Sequence, residues 1–282
     1  MTLLTATSGS THGLLPNEIG ALITEPVRRA SVAMQVGTVV TTVTNEFRVP
    51  VIVADAGADW VAEGEEITPT DATLTEIIVR PSKVAGLSVI SRELATDSSP
   101  SAQQLVGEGL AQSLANKIDA AFFANTTANG PAGLASLADV QLVSTAGGIT
   151  DLDPFAEAIS KAEDVGAVIT SFVANPADVL DLARLKKLST GSNEPLLQAD
   201  PTQPSRRQIL GVQVVSSPAV AAGDIWAVPA AKVMVVLRED VTLAVDESAY
   251  FSSDSIGVRA TVRVGFAYPH EAAVVRLTGA GS

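Results

Sequence analysis

The sequence contains no cysteine. That excludes a disulfide framework, a thiol nucleophile and a thiolate metal centre, and it fits an intracellular protein. Histidine is nearly as scarce, with two residues. His12 lies in a polar terminus and His270 in a turn-like stretch, which makes a poor metal cluster. No run of ~18 uncharged apolar residues occurs, so no helical membrane span is expected. Met1–Gly13 lacks the basic and apolar blocks of a secretory leader. Three signatures are also missing: the Gly-x-x-x-x-Gly-Lys-Ser/Thr phosphate loop, a Gly-x-Gly-x-x-Gly turn after a strand, and the Gly-x-Ser-x-Gly elbow of hydrolases. No catalytic residue, metal site or cofactor is therefore assigned.

Basic residues are few. Lys and Arg number 18 against 31 Asp and Glu, giving a net charge of −13. The close basic pairs are Arg28–Arg29, Lys186–Lys187 and Arg206–Arg207, too dispersed for a DNA-binding surface that works by releasing counterions. An acidic protein can still enclose DNA, and weak attraction suits a container that must fill and empty. Apolar residues make up 46 % of the 282 residues and charged residues 17 %. Such a chain folds, and it is long enough for one large domain or two closely joined ones.

Residues 1–42 read as an extended N-terminal arm with a short helix near Glu25–Ala33. Val43–Ile52 and Leu74–Arg80 are β-branched and partly alternating, and both read as strands. Between them lies a tip rich in Asp, Gly, Thr and Glu. Residues 43–82 thus form a long two-stranded loop. About 18 residues at ~3.3 Å each reach roughly 60 Å, whereas a compact chain of this length has a radius of gyration of ~19 Å. A bare two-stranded ribbon is marginal in water, so its natural partner is another subunit.

The tip carries Trp60. A large aromatic on a polar loop either packs against its own arm or docks onto a neighbour, as interface anchors do. Glu63, Glu65 and Glu66 sit beside it. Paired carboxylates can serve acid–base chemistry or hold a cation, but an exposed tip offers no water-excluding cleft. Solvation and an intersubunit salt contact are the two readings left.

Val84–Ser91 alternates as a strand. Ser99 and Pro100 then form a helix start, and Val106, Leu110, Leu114, Ile118 and Phe122 make one apolar stripe. A helix over Pro100–Asn125 would be ~39 Å long, with Gly107 and Gly109 as weak points. After a Gly-rich stretch (126–150), helices are expected from Asp153-Pro154 and Asn175-Pro176, with a buried strand at Val168–Ala174 between them. Residues 189–207 read as a loop. Strands follow at Ile209–Val215, Asp224–Val228 and Lys232–Leu237. This alternation predicts an α/β unit over roughly 130–240.

Ile256, Val258, Ala260, Val262, Val264 and Phe266 alternate with Gly257, Arg259, Thr261, Arg263 and Gly265. Strict period two marks a half-buried antiparallel strand, with Ala272–Leu277 expected to pair with it. Arg259 and Arg263 share its polar face. They face solvent or meet carboxylates of an adjacent subunit.

The order of these elements resembles the tailed double-stranded-DNA bacteriophage major capsid family with the Hong Kong 97-like fold. The resemblance runs from about residue 14 to 278. Trp60-Val-Ala-Glu63-Gly-Glu is similar to the family's extended loop. Leu87-Ser-Val-Ile-Ser-Arg-Glu-Leu94 with Asp97-Ser98 resembles the strand leading to its spine helix, and Arg92 in that run joins the contact candidates. Ile118-Asp-Ala-Ala-Phe-Phe123 resembles the end of that helix. Asn175-Pro176 with Leu180 and Leu185 resembles the axial helix, and Ile209–Ser216 the strand after the axial loop. Val258–Gly265 with His270-Glu271-Ala272 and Val275 resembles the closing peripheral strands.

The resemblance implies an α+β fold divided into an N-terminal arm (1–42), an extended loop (43–82), a peripheral domain with the spine helix (83–130 and 238–282) and an α/β axial domain (131–237). It implies self-assembly into pentamers and hexamers of an icosahedral head around double-stranded DNA, with the arm over a neighbouring subunit and loop 189–207 lining the capsomer centre. A portal protein, a separate scaffolding protein and a decoration protein are the further partners it suggests, in a virion assembled in the host cytoplasm. A fused scaffold is not expected ahead of the arm. The alternative is an encapsulin-like bacterial compartment, which shares the fold and holds protein cargo. Some family members weld subunits through an arm lysine, but the first lysine here is Lys83, at the arm's base. Mature particles are therefore expected to run as monomers on a denaturing gel. A ladder above the monomer would contradict this.

Overall fold

The computed structural model describes Val27, residues 29–54, the isolated positions 57, 60, 61, 64, 66 and 71, residues 73–91, 93, 101–145, 148–187, 194–197 and 207–279. In chain order the elements are α1 (Val32–Val36), β1 (Thr38–Thr42), β2 (Phe47–Ala54), β3 (Thr73–Val79), β4 (Ser82–Ser91), α2 (Ser101–Phe123), β5 (Gln141–Ser144), α3 (Asp153–Asp164), β6 (Ser171–Ala174), α4 (Pro176–Arg184), β7 (Gln208–Ile209), β8 (Val212–Ser216), β9 (Asp224–Val228), β10 (Met234–Tyr250), β11 (Ser255–Ala267) and β12 (Val275–Thr278). They build a four-stranded sheet β1-β10-β11-β4, a six-stranded sheet β5-β12-β9-β6-β8-β7 and the ribbon β2-β3.

The alternation of 256–266 becomes β11, antiparallel to both β10 and β4. Its apolar residues are buried, and α2 packs on that face through Leu114, Ile118 and Phe122. Phe122 is the centre, with Phe123 and Phe266 edge-on at 5.0 and 5.1 Å. Burying one such ring contributes about 2–3 kcal/mol. The expected stripe is therefore the core face of the helix, with Val106 and Leu110 against a satellite of Ile90, Ile256 and Val258. The capping residues Ser99 and Pro100 lie outside the described residues.

Below the end of α2 the chain folds back at Gly133. A side chain there would run into the carbonyl oxygens of Ala121, Phe122 and Ala124. Backbone oxygens at a helix end cannot swing aside as a side chain can. Gly133→Ala is expected to cost about 3 kcal/mol, at the upper end for overpacking. Thermal unfolding checks this, and a midpoint equal to wild type would contradict it.

The second core lies between the six-stranded sheet and helices α3 and α4, around Phe155, Phe172, Val179 and Leu182. Asn175 caps α4, its side chain accepting from Ala177 N at 3.1 Å, as expected for Asn-Pro. At α3 the cap differs from the expected one. Leu152 occupies the cap position, Asp153 is already helical, and the Asp151 carboxylate accepts from Asp153 N at 3.1 Å.

Other expectations shift as well. The helix expected near 25–33 is broken at Ser31: Val27, Arg29 and Ala30 are helical, and α1 begins at Val32. Strand β1, Thr-rich and without clean alternation, exists because it pairs in parallel with β10. The strand expected over Ile209–Val215 is a hairpin turning at Leu210 and Gly211, both at positive φ. The strand expected to stop at Leu237 continues to Tyr250, past the charged Arg238-Glu239-Asp240. Finally, the 272–277 stretch does not pair with β11. Its strand β12 lies between β5 and β9 in the other sheet. Local pattern identified the strand, but its partner is fixed by a crossover that pattern does not encode.

Candidate assembly interface

The ribbon β2–β3 is antiparallel, from Phe47↔Val79 at the root to Ala54↔Thr73, with a bulge between Ile52 and Ala54. Its root is fastened by Val49 and Val79 against Val236 and Ala267. Gly265 makes room there, since a Cβ would lie 2.6 Å from Val79 Cγ1. On one face of the ribbon the apolar side chains Ile52, Leu74 and Ile78 are all exposed, whereas Val51 and Ile77 on the other face are half-buried. Ion pairs Arg48–Glu76 (3.2 Å) and Arg80–Glu46 (2.9 Å) brace the ribbon. Both are exposed and contribute little to stability.

Trp60 is 107 % exposed and packs on none of the described residues. Glu66 is exposed too. Glu63, Glu65 and Arg92 lie outside the described residues. Residues 55–71 contain six carboxylates and no Lys or Arg, so the reach of the arm ends in a strongly anionic segment with one aromatic.

Cations gather elsewhere, on the face of the four-stranded sheet turned away from α2. Opposite residues of adjacent strands share a face. Arg263 stands opposite Lys83 of β4 and Arg238 of β10, and Arg259 opposite Leu87 and Ala244. Three cations thus cross the sheet in one row. Arg263 is half-buried and Arg259 is exposed. Arg238 also donates to the Asn45 side chain at the foot of the ribbon. On the adjacent strand β10, two residues beyond Ala244, Asp246 lies near Arg259. Its carboxylate is held below the usual range, first by the Ser248 hydroxyl, then by the backbone N–H groups of Ser248 and Ala249, and lastly by the Arg259 charge. Leu87 and Val89 of β4 are exposed on this face, at 59 % and 46 %.

The period-two pattern announced Arg259 and Arg263. It did not announce Lys83 and Arg238, which join the row through strand register. Nor did it announce Asp119. That residue is buried in α2, and its carboxylate accepts from Ser31 Oγ (2.6 Å), Val32 N (2.9 Å) and Ala33 N (3.0 Å). It anchors the chain entering α1 to the long helix. Among the described residues no three His, Asp or Glu side chains gather as a metal site. No described helix is long and apolar enough to cross a membrane.

The whole architecture, two sheets with a long helix and an outlying ribbon, is that of capsid subunits. The capsid of an empty GTA particle superposes with a TM-score of 0.71 at 20 % identity, covering 99 % of this chain and 96 % of that one. A structure from Mycobacterium phage Bobi gives 0.72 at 18 % identity with the same coverage. One from Mycobacterium phage Adephagia gives 0.69 at 14 %, over 85 % of this chain and 84 % of that one. In sequence, a capsid polyprotein of Pseudomonas phage PAJU2 is 29 % identical over 130 residues, which is 45 % of this chain and 19 % of that protein. The chain thus spans about a fifth of that curated relative. The phage capsid family model matches residues 12–279. This chain belongs to the phage capsid family.

Proposed function

We propose that this chain is the major capsid protein of a tailed phage and assembles as pentamers and hexamers into an icosahedral head enclosing double-stranded DNA. The observation that carries this is the outlying ribbon, with Ile52, Leu74, Ile78 and Trp60 exposed in the single chain. A second copy supplies the missing packing. The anionic tip of one subunit, with Trp60, Glu63, Glu65 and Glu66, meets the cationic sheet face of a neighbour, with Arg259 and Arg263, and Arg92 is a further candidate for the same contact.

The division into arm (1–42), extended loop (43–82), peripheral domain (83–130 and 238–282) and axial domain (131–237) is part of the same proposal, with 275–278 joined to the axial sheet and 38–42 and 234–237 to the peripheral one. The protein serves as a structural subunit without catalytic activity. A scaffolding protein and a portal protein act during assembly, and a decoration protein is a further partner.

Two tests follow. Natural particles should hold nuclease-protected double-stranded DNA. Particles filled with protein cargo and lacking nucleic acid would favour the encapsulin-like alternative. Charge reversal at Glu65 and Glu66 should slow assembly several-fold at low ionic strength, with the effect fading near 1 M salt, where the Debye length is ~3 Å. Light scattering during assembly reads this. A defect independent of salt would point to misfolding instead.

A further inference from the structure

Among the described strands, most sheet edges are short or carry a device that blunts pairing. Edge strands expose a row of backbone donors and acceptors, and proteins protect them with shortness, proline, bulges or covering groups. Strand β1 has five residues and β7 two. On β5, Lys161 Nζ donates to the Leu142 carbonyl at 2.7 Å, and the Gln141 side chain reaches back to Lys161 O at 2.9 Å. The ribbon carries Pro50 and a bulge.

Strand β4 is different. It has ten residues, Ser82–Ser91, without proline. It pairs with β11 over its whole length without a register shift, and no described strand lies on its other side. At ~3.3 Å per residue this edge is about 33 Å long. Its exposed side chains are apolar at the centre, Ala85, Leu87 and Val89, with one charge, Lys83, at one end.

We infer that β4 is an interface between two copies of this chain, which pair antiparallel edge to edge across a two-fold axis centred on Leu87. This rests on the shell-forming role proposed above. A closed shell of one chain needs self-complementary contacts, and a two-fold contact uses the same patch twice. The register centred on Leu87 sets Leu87 against Leu87, Ala85 against Val89 and Lys83 against Ser91. No like charges then stand opposite each other, and the exposed apolar residues cover one another. The two four-stranded sheets become one of eight strands. A single edge is a small contact, so it acts between subunits already held in the shell.

The cysteine-free chain provides a direct test. Opposite residues of an antiparallel pair have Cα atoms about 4.5–5.5 Å apart, within disulfide range. Assembled particles of Leu87→Cys are oxidised with diamide and run on a non-reducing denaturing gel. More than half of the chain should shift to a dimer band. Val168→Cys, exposed at 74 % in the loop before β6, should stay monomeric. Should Leu87→Cys fail to assemble, the pair Ala85→Cys plus Val89→Cys must crosslink while either substitution alone does not.

Particles that form normally but give no dimer from Leu87→Cys overturn the inference. So does a dimer formed only in particles co-assembled from Leu87→Cys and Trp60→Cys chains, which would give this edge to a neighbour's ribbon tip. Either result leaves the shell-forming role intact. That role stands or falls on particle formation by the unmodified chain.

Discussion

Trp60→Ala is expected to abolish most particle formation while leaving the subunit folded. The side chain is fully exposed in the single chain, so its removal should change unfolding free energy by less than about 0.5 kcal/mol. At an interface the same residue type is a dominant anchor, costing 2 kcal/mol or more when truncated. At 1.4 kcal/mol per tenfold, one weakened contact lowers the association constant by at least about thirtyfold. A shell repeats that contact in every subunit, so yield should fall at least tenfold. Circular dichroism and thermal unfolding measure the first half, and sedimentation of assembled material the second. Wild-type particle yield would contradict the assignment of Trp60 to an interface.

Asp119→Asn is expected to act in the opposite way, through the fold. The substitution keeps the shape of the side chain and replaces one carboxylate oxygen with an NH2 group. Ser31 Oγ, Val32 N and Ala33 N all donate to the present carboxylate. In the variant at least one of these buried donors faces another donor, and an orphaned buried donor costs about 1–3 kcal/mol, more when a charged partner is lost. A total near 3 kcal/mol corresponds to a fall in Tm of roughly 6–12 °C for a chain of this size. Ser31→Ala removes one of the three bonds and should cost about 1 kcal/mol. An unchanged Tm for Asp119→Asn would show that the entry to α1 is held by apolar packing alone.

These two residues mark how far the sequence could be read. Trp60 was legible because a lone aromatic among Asp, Gly and Glu breaks a local rule. The helix stripe from Leu114 to Phe122 and the alternation from Ile256 to Phe266 were legible because each is a long uninterrupted period. Asp119 was not legible. An acidic residue one place after the stripe residue Ile118 looks like a solvated flank, and its partners lie 86–88 positions away. The same holds for the row of Lys83, Arg263 and Arg238, which comes together only through the register of three strands. β1 and the second half of β10 were missed for a related reason. Their residues lack alternation, and pairing with distant strands imposes the extended conformation on them. The partner of β12 was misassigned because nearness in sequence to β11 outweighed a crossover between sheets.

The central claim is that this chain builds shells. Negative-stain electron microscopy of the expressed protein, supplied with its scaffolding protein and sedimented in parallel, tests it most directly. Closed hollow shells or ring-shaped capsomers are the predicted result. A chain that remains monomeric at high concentration with the scaffold present would contradict the claim.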